Sequence, residues 1–230
     1  MTCKVALTGA GISAPSGLPV YRRDGETSWS DERAEKMMNL RTYRNHLPHL
    51  WRWSLDIRDQ ATSVGPNAAH LALADAGVHV LTQNVDGLHQ AAGSDDVVEL
   101  HGSIRRGRCR KNHTFEITDA LAQQAREGIE GVPACPQCSY WLTRPDVVLF
   151  GEMLLRRTLD RAEKLLRSAD VLYVVGTSGI VHPAAGFPDE VRRHGGRTVL
   201  VSAHPWVGGH EFDEVHLGDA AVILPQLLAS

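Results

Sequence analysis

The chain has 230 residues, 43% of them apolar and 22% charged, with a formal net charge of −3. That is the balance of an ordinary globular protein with a substantial core, and it argues against nucleic acid or an anionic membrane as the main partner. No apolar run approaches bilayer length, and the opening MTCKVALTG reads as a strand rather than a secretory leader. A cytoplasmic enzyme or binding protein is expected.

The first strand is expected at 4–7, followed directly by Gly9-Ala10-Gly11-Ile12-Ser13-Ala14. This fits the looser G-x-G-x-x-G/A dinucleotide pattern, with Gly9 for a tight turn and Gly11 for close approach of a pyrophosphate. Small Ala14 would let a helix lie close to the sheet. A close-packed turn without a ligand is the other reading. Residues 29–63 are polar and arginine-rich, with Trp29, Trp51 and Trp53, and read as a small helical insertion. A helix at 68–76 leads to strands at 78–81 and 97–100. Residues 105–144 hold most of the cysteines and several turn formers, with few long apolar runs. Beyond them come a strand at 147–150, a helix at 155–168, a strand at 171–175 and a helix at 184–193. A strand at 198–201, a weaker one at 214–217 and a helix at 219–228, which Pro225 is expected to interrupt, complete the chain.

Several strands are continuous Val/Leu runs, as in strands covered on both faces. Their alternation with helices predicts an α/β fold, a Rossmann-like doubly wound parallel sheet with ligands at the carboxyl ends of its strands. The two irregular stretches predict a smaller inserted lobe, helical and cysteine-bearing. One catalytic domain would then comprise a large lobe of about 1–25, 66–102 and 146–230 and a small lobe of about 26–65 and 103–145.

Polar groups stand at several strand ends. Gln83, Asn84 and Asp86 follow the strand at 78–81; an amide and a carboxylate there can bind a carboxamide, a ribose or an ordered water, or make a plain turn. His101-Gly102 follows the strand at 97–100, where an imidazole can take a proton from a hydroxyl or simply cap a turn. Gly176-Thr177-Ser178 offers hydroxyls and backbone N–H groups, or an unadorned βα connection. Cys135-Pro136-Gln137-Cys138 is a C-x-x-C half-site and Cys109 supplies a third thiolate, a cluster more like a metal site than a disulfide framework. Cys3, beside the first strand, reads as a small buried hydrophobe.

Together these segments resemble the sirtuins, the NAD-dependent protein-lysine deacylases. The resemblance rests on GAGISAPSGLPVYR from Gly9 to Arg22, QNVD from Gln83 to Asp86, and HG at His101-Gly102. It continues in RPDVVLFGE from Arg144 to Glu152, GTSGIVHPAA from Gly176 to Ala185 and, more weakly, FDEV from Phe212 to Val215. The motifs stand in the family's order and span nearly the whole chain.

The resemblance implies NAD, consumed as a co-substrate in the large lobe, a structural zinc in the small one, and an acyl-lysine protein or peptide entering between them. His101 would be the general base and Asn84 its catalytic companion beside the nicotinamide ribose, with Asp86 holding the carboxamide. Gly9, Ala10, Gly11 and Arg22 would surround the phosphates and ribose, with Gln83 close by. Gly176, Thr177 and Ser178 would contact the adenosine side, with Ser202, Ala203, His204 and Ala220 near the adenine. Phe150, Gly151 and Glu152 on one side, and the strap of Gly179, Val181 and His182 on the other, would clamp the substrate backbone as an added strand. In the implied reaction the acyl oxygen attacks the anomeric carbon as nicotinamide leaves. His101 then deprotonates a ribose hydroxyl, which attacks the imidate carbon; with the uptake of one water this gives lysine and an O-acyl-ADP-ribose.

The chain departs from the family in three places. Val20-Tyr21-Arg22 stands where Asp-Phe-Arg or Thr-Phe-Arg is usual. The Tyr-x-x-Arg pair that accepts acidic acyl groups falls on Ser54 and Ile57, with Arg52 and Arg58 out of register, so a neutral acyl group such as acetyl is expected over succinyl. The usual cysteine three residues after Cys109 is Asn112; His113 is the nearest replacement, giving a Cys3His tetrahedral set of Cys109, His113, Cys135 and Cys138, the alternative being a metal-free knuckle.

Rival readings keep the scaffold but change the outcome: a mono-ADP-ribosyltransferase, an NAD glycohydrolase, or a catalytically weak NAD or ADP-ribose sensor. Retention of both His101 and Asn84 favours deacylation. A hydride-transferring dehydrogenase fits worst, because no acidic ribose-binding residue is evident about twenty positions after the glycines.

Overall fold

The structure, a computed structural model, describes residues 2–19, 36–127 and 131–229, with the backbone alone at 22–23 and 26–27. Val20, Tyr21 and Trp29 lie outside the described residues, as does the side chain of Arg22.

In chain order the elements are β1 (Lys4–Thr8), the short pair β2 (Arg22–Arg23) and β3 (Glu26–Thr27), α1 (Leu47–Val64), α2 (Ala68–Asp75) and β4 (His79–Thr82). Next come α3 (Leu88–Ala91), β5 (Val97–Glu99), β6 (Gly102–Cys109), β7 (Thr114–Glu116), α4 (Asp119–Glu127) and β8 (Thr143–Val147). The chain closes with α5 (Arg156–Ser168), β9 (Val171–Val175), α6 (Phe187–Arg193), β10 (Arg197–Ser202), β11 (Glu214–Leu217) and α7 (Ala220–Leu228).

Six strands form one parallel sheet in the order β11-β10-β9-β1-β4-β5. From β1 the chain first builds outward through β4 and β5, then returns to β1's other side for β9, β10 and β11. The direction therefore reverses between β1 and β9, where a doubly wound sheet opens a crevice at its carboxyl edge. Alternate residues of β1 explain the two covered faces. Val5 and Leu7 pack with Ala162 and Leu166 of α5 and Phe187 and Val191 of α6, whereas Ala6 packs with Leu73 of α2 and Leu224 of α7. Each fully buried Leu or Val contributes about 1.5–3 kcal/mol, so the strand is fixed in register from both sides.

The structure corrects several expectations. The cysteine-bearing stretch forms an antiparallel sheet in the order β7-β6-β8, which runs from Gly102 to Val147 and so beyond 105–144 at both ends. Its middle strand, GSIRRGRC, hides its signal because its buried positions include Ser103, Gly107 and Cys109. The apolar run at 147–150 is not a strand of the parallel sheet. Only Val147 belongs to β8; Val148 N–H donates to His101 C=O at 2.9 Å, and Phe150 bridges to Asn39. Pro145 is tolerated within β8 because that strand is an edge. Pro225 sits inside α7 without ending it. After β1 the chain makes two 3-10 turns, Ala10–Ile12 and Ala14–Ser16, and Ala14 is exposed, so it does not bring a helix onto the sheet.

The second sheet has its own packing. Trp51 and Leu55 of α1 meet Cys109, Phe115 and Cys135, and Trp51 Nε1–H donates to Thr143 C=O at 3.2 Å. Among the described residues no helix is long and apolar enough to cross a membrane.

Candidate active site and metal centre

The crevice is built around three strand-end loops in contact. The Gly9 N–H donates to Val175 C=O at 3.0 Å and the Gly11 N–H to Gly176 C=O at 2.8 Å. A Cβ on Gly11 would lie 2.7 Å from Gly176 Cα, and one on Gly176, whose φ is +59°, 2.4 Å from Ile12 N. Gly11 is thus required by the neighbouring backbone, a reason different from the pyrophosphate approach expected of it. Gln83 Nε2–H donates to Thr177 Oγ1 at 2.9 Å, tying the β4 end across the loop to the β9 end.

Asn84 is held by its amide: Nδ2–H donates to Gly9 C=O and to Ser13 Oγ, both at 3.1 Å. Its Oδ1 has no partner among the described residues and remains available to a hydroxyl. Ser13 Oγ–H donates to Asp86 Oδ2 at 2.8 Å, and Leu88 N–H to Asp86 Oδ1 at 2.9 Å. Burial raises the Asp86 carboxyl against the lowering effect of these bonds.

Two imidazoles that the motifs did not single out lie beneath this loop. His70 Nε2 reaches Ser13 Oγ at 3.5 Å, while its Nδ1 accepts from Asn67 N–H at 3.4 Å. Thr8 Oγ1–H donates to Thr82 Oγ1 at 2.9 Å, so it accepts from His89 Nε2–H, also at 2.9 Å. The rings of His70 and His89 meet edge to face, 4.8 Å between centroids. Burial lowers His70 to about 4, and burial with the adjacent His70 lowers His89 to about 3. Both are therefore neutral supports. Asn67 caps α2 and donates from Nδ2 to Ile12 C=O at 2.8 Å, latching the glycine loop. The signal for Asn67 was legible as an N-cap before an apolar helix.

His101 stands at the end of β5, beside the β4 loop. Its Nδ1–H donates to Gln83 C=O at 3.0 Å, which leaves Nε2 without a partner among the described residues. Burial lowers the imidazole below its ordinary value of 6.5, partly opposed by that hydrogen bond. A neutral ring with a free Nε2 lone pair is the form a general base needs.

The remaining candidates are scattered along the same edge. Ala10 is half-buried in the first 3-10 turn, and Ser178 C=O accepts from Val207 N–H at 3.2 Å. Ser202 is buried at the end of β10, Ala203 and His204 are exposed just beyond it, and Ala220 opens α7 behind the cap Asp219. Arg22 is placed only by its backbone in β2. In the strap, Gly179 is buried and Val181 and His182 are exposed.

On the opposite side, Phe150 N–H donates to Met38 C=O at 2.7 Å and its C=O accepts from Leu40 N–H at 3.0 Å. Its backbone is already paired, whereas the N–H and C=O of Gly151 have no partner among the described residues. Glu152 is committed as well. Arg144 Nη2–H donates to its two carboxylate oxygens at 2.6 and 2.8 Å, Arg108 bonds it too, and Leu149 N–H donates at 3.0 Å. This nearly buried, charge-assisted knot shapes the loop and occupies the carboxylate, which leaves the backbone contact expected of Glu152 untouched.

Away from the crevice, Cys109, His113, Cys135 and Cys138 place their ligand atoms within 4.8 Å of one another. Cys109 Sγ and Cys138 Sγ are 3.9 Å apart, as are Cys135 Sγ and His113 Nδ1. Zinc–sulfur bonds of about 2.3 Å in a tetrahedron put sulfurs about 3.8 Å apart, so the set fits zinc. Asn112, where a cysteine was usual, takes φ +64° and turns the chain so that His113 enters the cluster. Burial would raise the Cys135 thiol, but the N–H groups of Gln137 and Cys138 and the His113 side chain outweigh it and bring it to about 7, toward the thiolate a metal binds.

Comparison with known proteins agrees with this geometry. Residues 9–183 match the Sir2 family. An NAD-dependent protein deacylase of Ralstonia nicotianae is 40% identical, over 98% of this chain and 90% of its own. A Sir2 homologue solved with NAD superimposes with a TM-score of 0.85 at 38% identity, covering 98% of this chain and 87% of that one. A Sir2 protein solved with a p53 peptide and NAD+ gives 0.83 at 30% identity, covering 98% and 92%. The chain belongs to the Sir2 family.

Proposed function

We infer that the protein is an NAD-dependent protein-lysine deacylase that releases nicotinamide and an O-acyl-ADP-ribose, with acetyl as the preferred acyl group. The observation that carries this reading is the bond from His101 to Gln83 C=O. It ties a base with a free Nε2 to the peptide unit leading into Asn84, itself fixed by Gly9 and Ser13. When bound, NAD supplies the ribose carbon that receives the acyl oxygen and the nicotinamide that departs.

The chain's own groups do the rest. Asn84 Oδ1 orients a ribose hydroxyl, Asp86 takes the carboxamide on its second lone pairs, and His101 Nε2 removes the hydroxyl proton. Gly9, Ala10, Gly11, Arg22 and Gln83 line the phosphate and ribose side; Gly176, Thr177, Ser178, Ser202, Ala203, His204 and Ala220 line the adenosine side. Gly151 and the strap of Gly179, Val181 and His182 hold the acyl-lysine peptide between them. Cys109, His113, Cys135 and Cys138 hold a structural zinc that takes no part in the chemistry. The same reading keeps the two lobes, with β8 assigned to the small one because it pairs with β6.

Replacing His101 by Ala tests the assignment: deacylation is lost while ADP-ribose binding persists. Unchanged turnover would remove His101 from the mechanism. ADP-ribosylated protein as the main product would favour the transferase, and nicotinamide release without peptide the glycohydrolase.

A further inference from the structure

Trp206 belongs to none of the motifs above, yet it sits where two of the site's loops meet. Its indole lies between two glycines: a Cβ on Gly179 would come within 2.4 Å of Cε2, and one on Gly208 within 2.4 Å of Nε1. Such contacts are open only to residues without a side chain, and Gly179 also has φ +75°. Phe212 closes another side of the ring, edge to face at 5.3 Å between centroids, and both aromatics lean on the apolar cluster that includes Phe187 and Val191. Trp206 Nε1 is buried with no acceptor among the described residues, so shape and apolar contact hold the ring rather than a hydrogen bond. The next residue, Val207, donates its N–H to Ser178 C=O at 3.2 Å.

The strap that starts at Gly179 has little else to fix it. Ile180 and Val181 are 42% and 43% exposed, and the N–H and C=O of Ile180 have no partner among the described residues. An unpaired backbone unit between anchored ends is what an added peptide strand requires. The far end is fixed by Ala185 N–H donating to Val181 C=O at 2.9 Å. At the near end, the aromatic wall on Gly179 is the anchor.

We propose that Trp206 is the positioning residue of this strap, pressing on Gly179 so that Ile180 is presented in register to the acyl-lysine peptide. The proposal rests on the reading of 179–182 as a peptide-docking strap. It makes residue 206 a determinant of peptide affinity without contact with the reacting atoms.

The test compares the full-length wild type with Trp206→Ala and Trp206→Phe, using an acetyl-lysine peptide, NAD, and ADP-ribose as a binding probe. Trp206→Ala should raise the peptide KM about five- to tenfold, with kcat and the ADP-ribose Kd within about twofold; Trp206→Phe should restore most of the loss. Amide exchange should accelerate at Val207 and Ala185, whose N–H groups bond Ser178 and Val181 at the two ends of the strap, and not in β9 or β10. An unchanged peptide KM would overturn the proposal. So would parallel weakening of peptide and ADP-ribose with faster exchange across β9 and β10, the mark of a merely structural tryptophan. If the wild type does not turn over the peptide, the functional reading fails, and exchange alone decides the inference: unaltered protection of the Val207 and Ala185 amides in Trp206→Ala refutes it.

Discussion

His101 Nδ1 and the carbonyl oxygen of Gln83 are 3.0 Å apart, and this contact decides which nitrogen of the imidazole can act. A carbonyl only accepts, so Nδ1 carries the proton and Nε2 is left as the base. Because burial lowers His101 below 6.5, the neutral ring persists into mildly acidic solution. The acid limb of kcat/KM for deacylation should therefore be centred below pH 6.5, with activity rising through it as the ring loses its proton. A limb centred above 6.5 would mean that burial does not control this imidazole.

The buried pair under the glycine loop makes a stability prediction with a definite sign. His70 and His89 titrate near 4 and 3 in the folded protein and near 6.5 when unfolded. Between these values the unfolded chain binds more protons, so stability falls as pH drops from about 6.5 toward 3. Asp86, raised by burial, works in the opposite direction over its own range. A tenfold difference in proton affinity between folded and unfolded chain is worth about 1.4 kcal/mol, so the net loss should be several kcal/mol, read as a falling Tm. Replacing His89 by Gln should flatten the slope; an unchanged slope would show that the pair is not buried and neutral.

For the metal centre, protein purified without added metal should contain about one equivalent of zinc, and chelation should lower Tm sharply because binding energy there is folding energy. His113→Ala should bind zinc much more weakly than the native Cys3His set. Full occupancy with unaltered affinity in that variant would remove His113 from the ligands.

Acyl preference follows from α1. Ser54 is fully buried, and its hydroxyl has no partner among the described residues; Ile57 packs in an apolar cluster with Val85 beside Asn84. Arg58 turns to Asp119 at 2.7 Å, and Arg52 is exposed. Ser54 and Ile57 offer neither a phenol nor a guanidinium to a terminal carboxylate, and Arg58 is tied through Nη2 to Asp119, so kcat/KM for an acetyl-lysine peptide should exceed that for the succinyl form by at least about tenfold. Equal or reversed rates would contradict this account of the pocket.

The parallel sheet was legible because its strands are runs such as VLYVV, which need two covered faces, and because glycine, asparagine and histidine stand at their ends. The second sheet was not, since GSIRRGRC buries small and polar residues and its pairing is set by partners distant in sequence. Among site residues, His101 and Asn84 could be read from strand-end position. His70 could not, because only the fold brings it under Ser13. Glu152 shows another limit: its motif position suggested a backbone contact with the substrate, but gave no sign that its carboxylate pairs with Arg108 and Arg144.

The central claim is that the acyl group moves onto the ribose of NAD. Incubating the wild-type protein with NAD and an acetyl-lysine peptide, and quantifying products by mass spectrometry, tests it directly. Equal amounts of nicotinamide, deacetylated peptide and O-acetyl-ADP-ribose are predicted. Nicotinamide and plain ADP-ribose beside a peptide that keeps its acetyl group would contradict it.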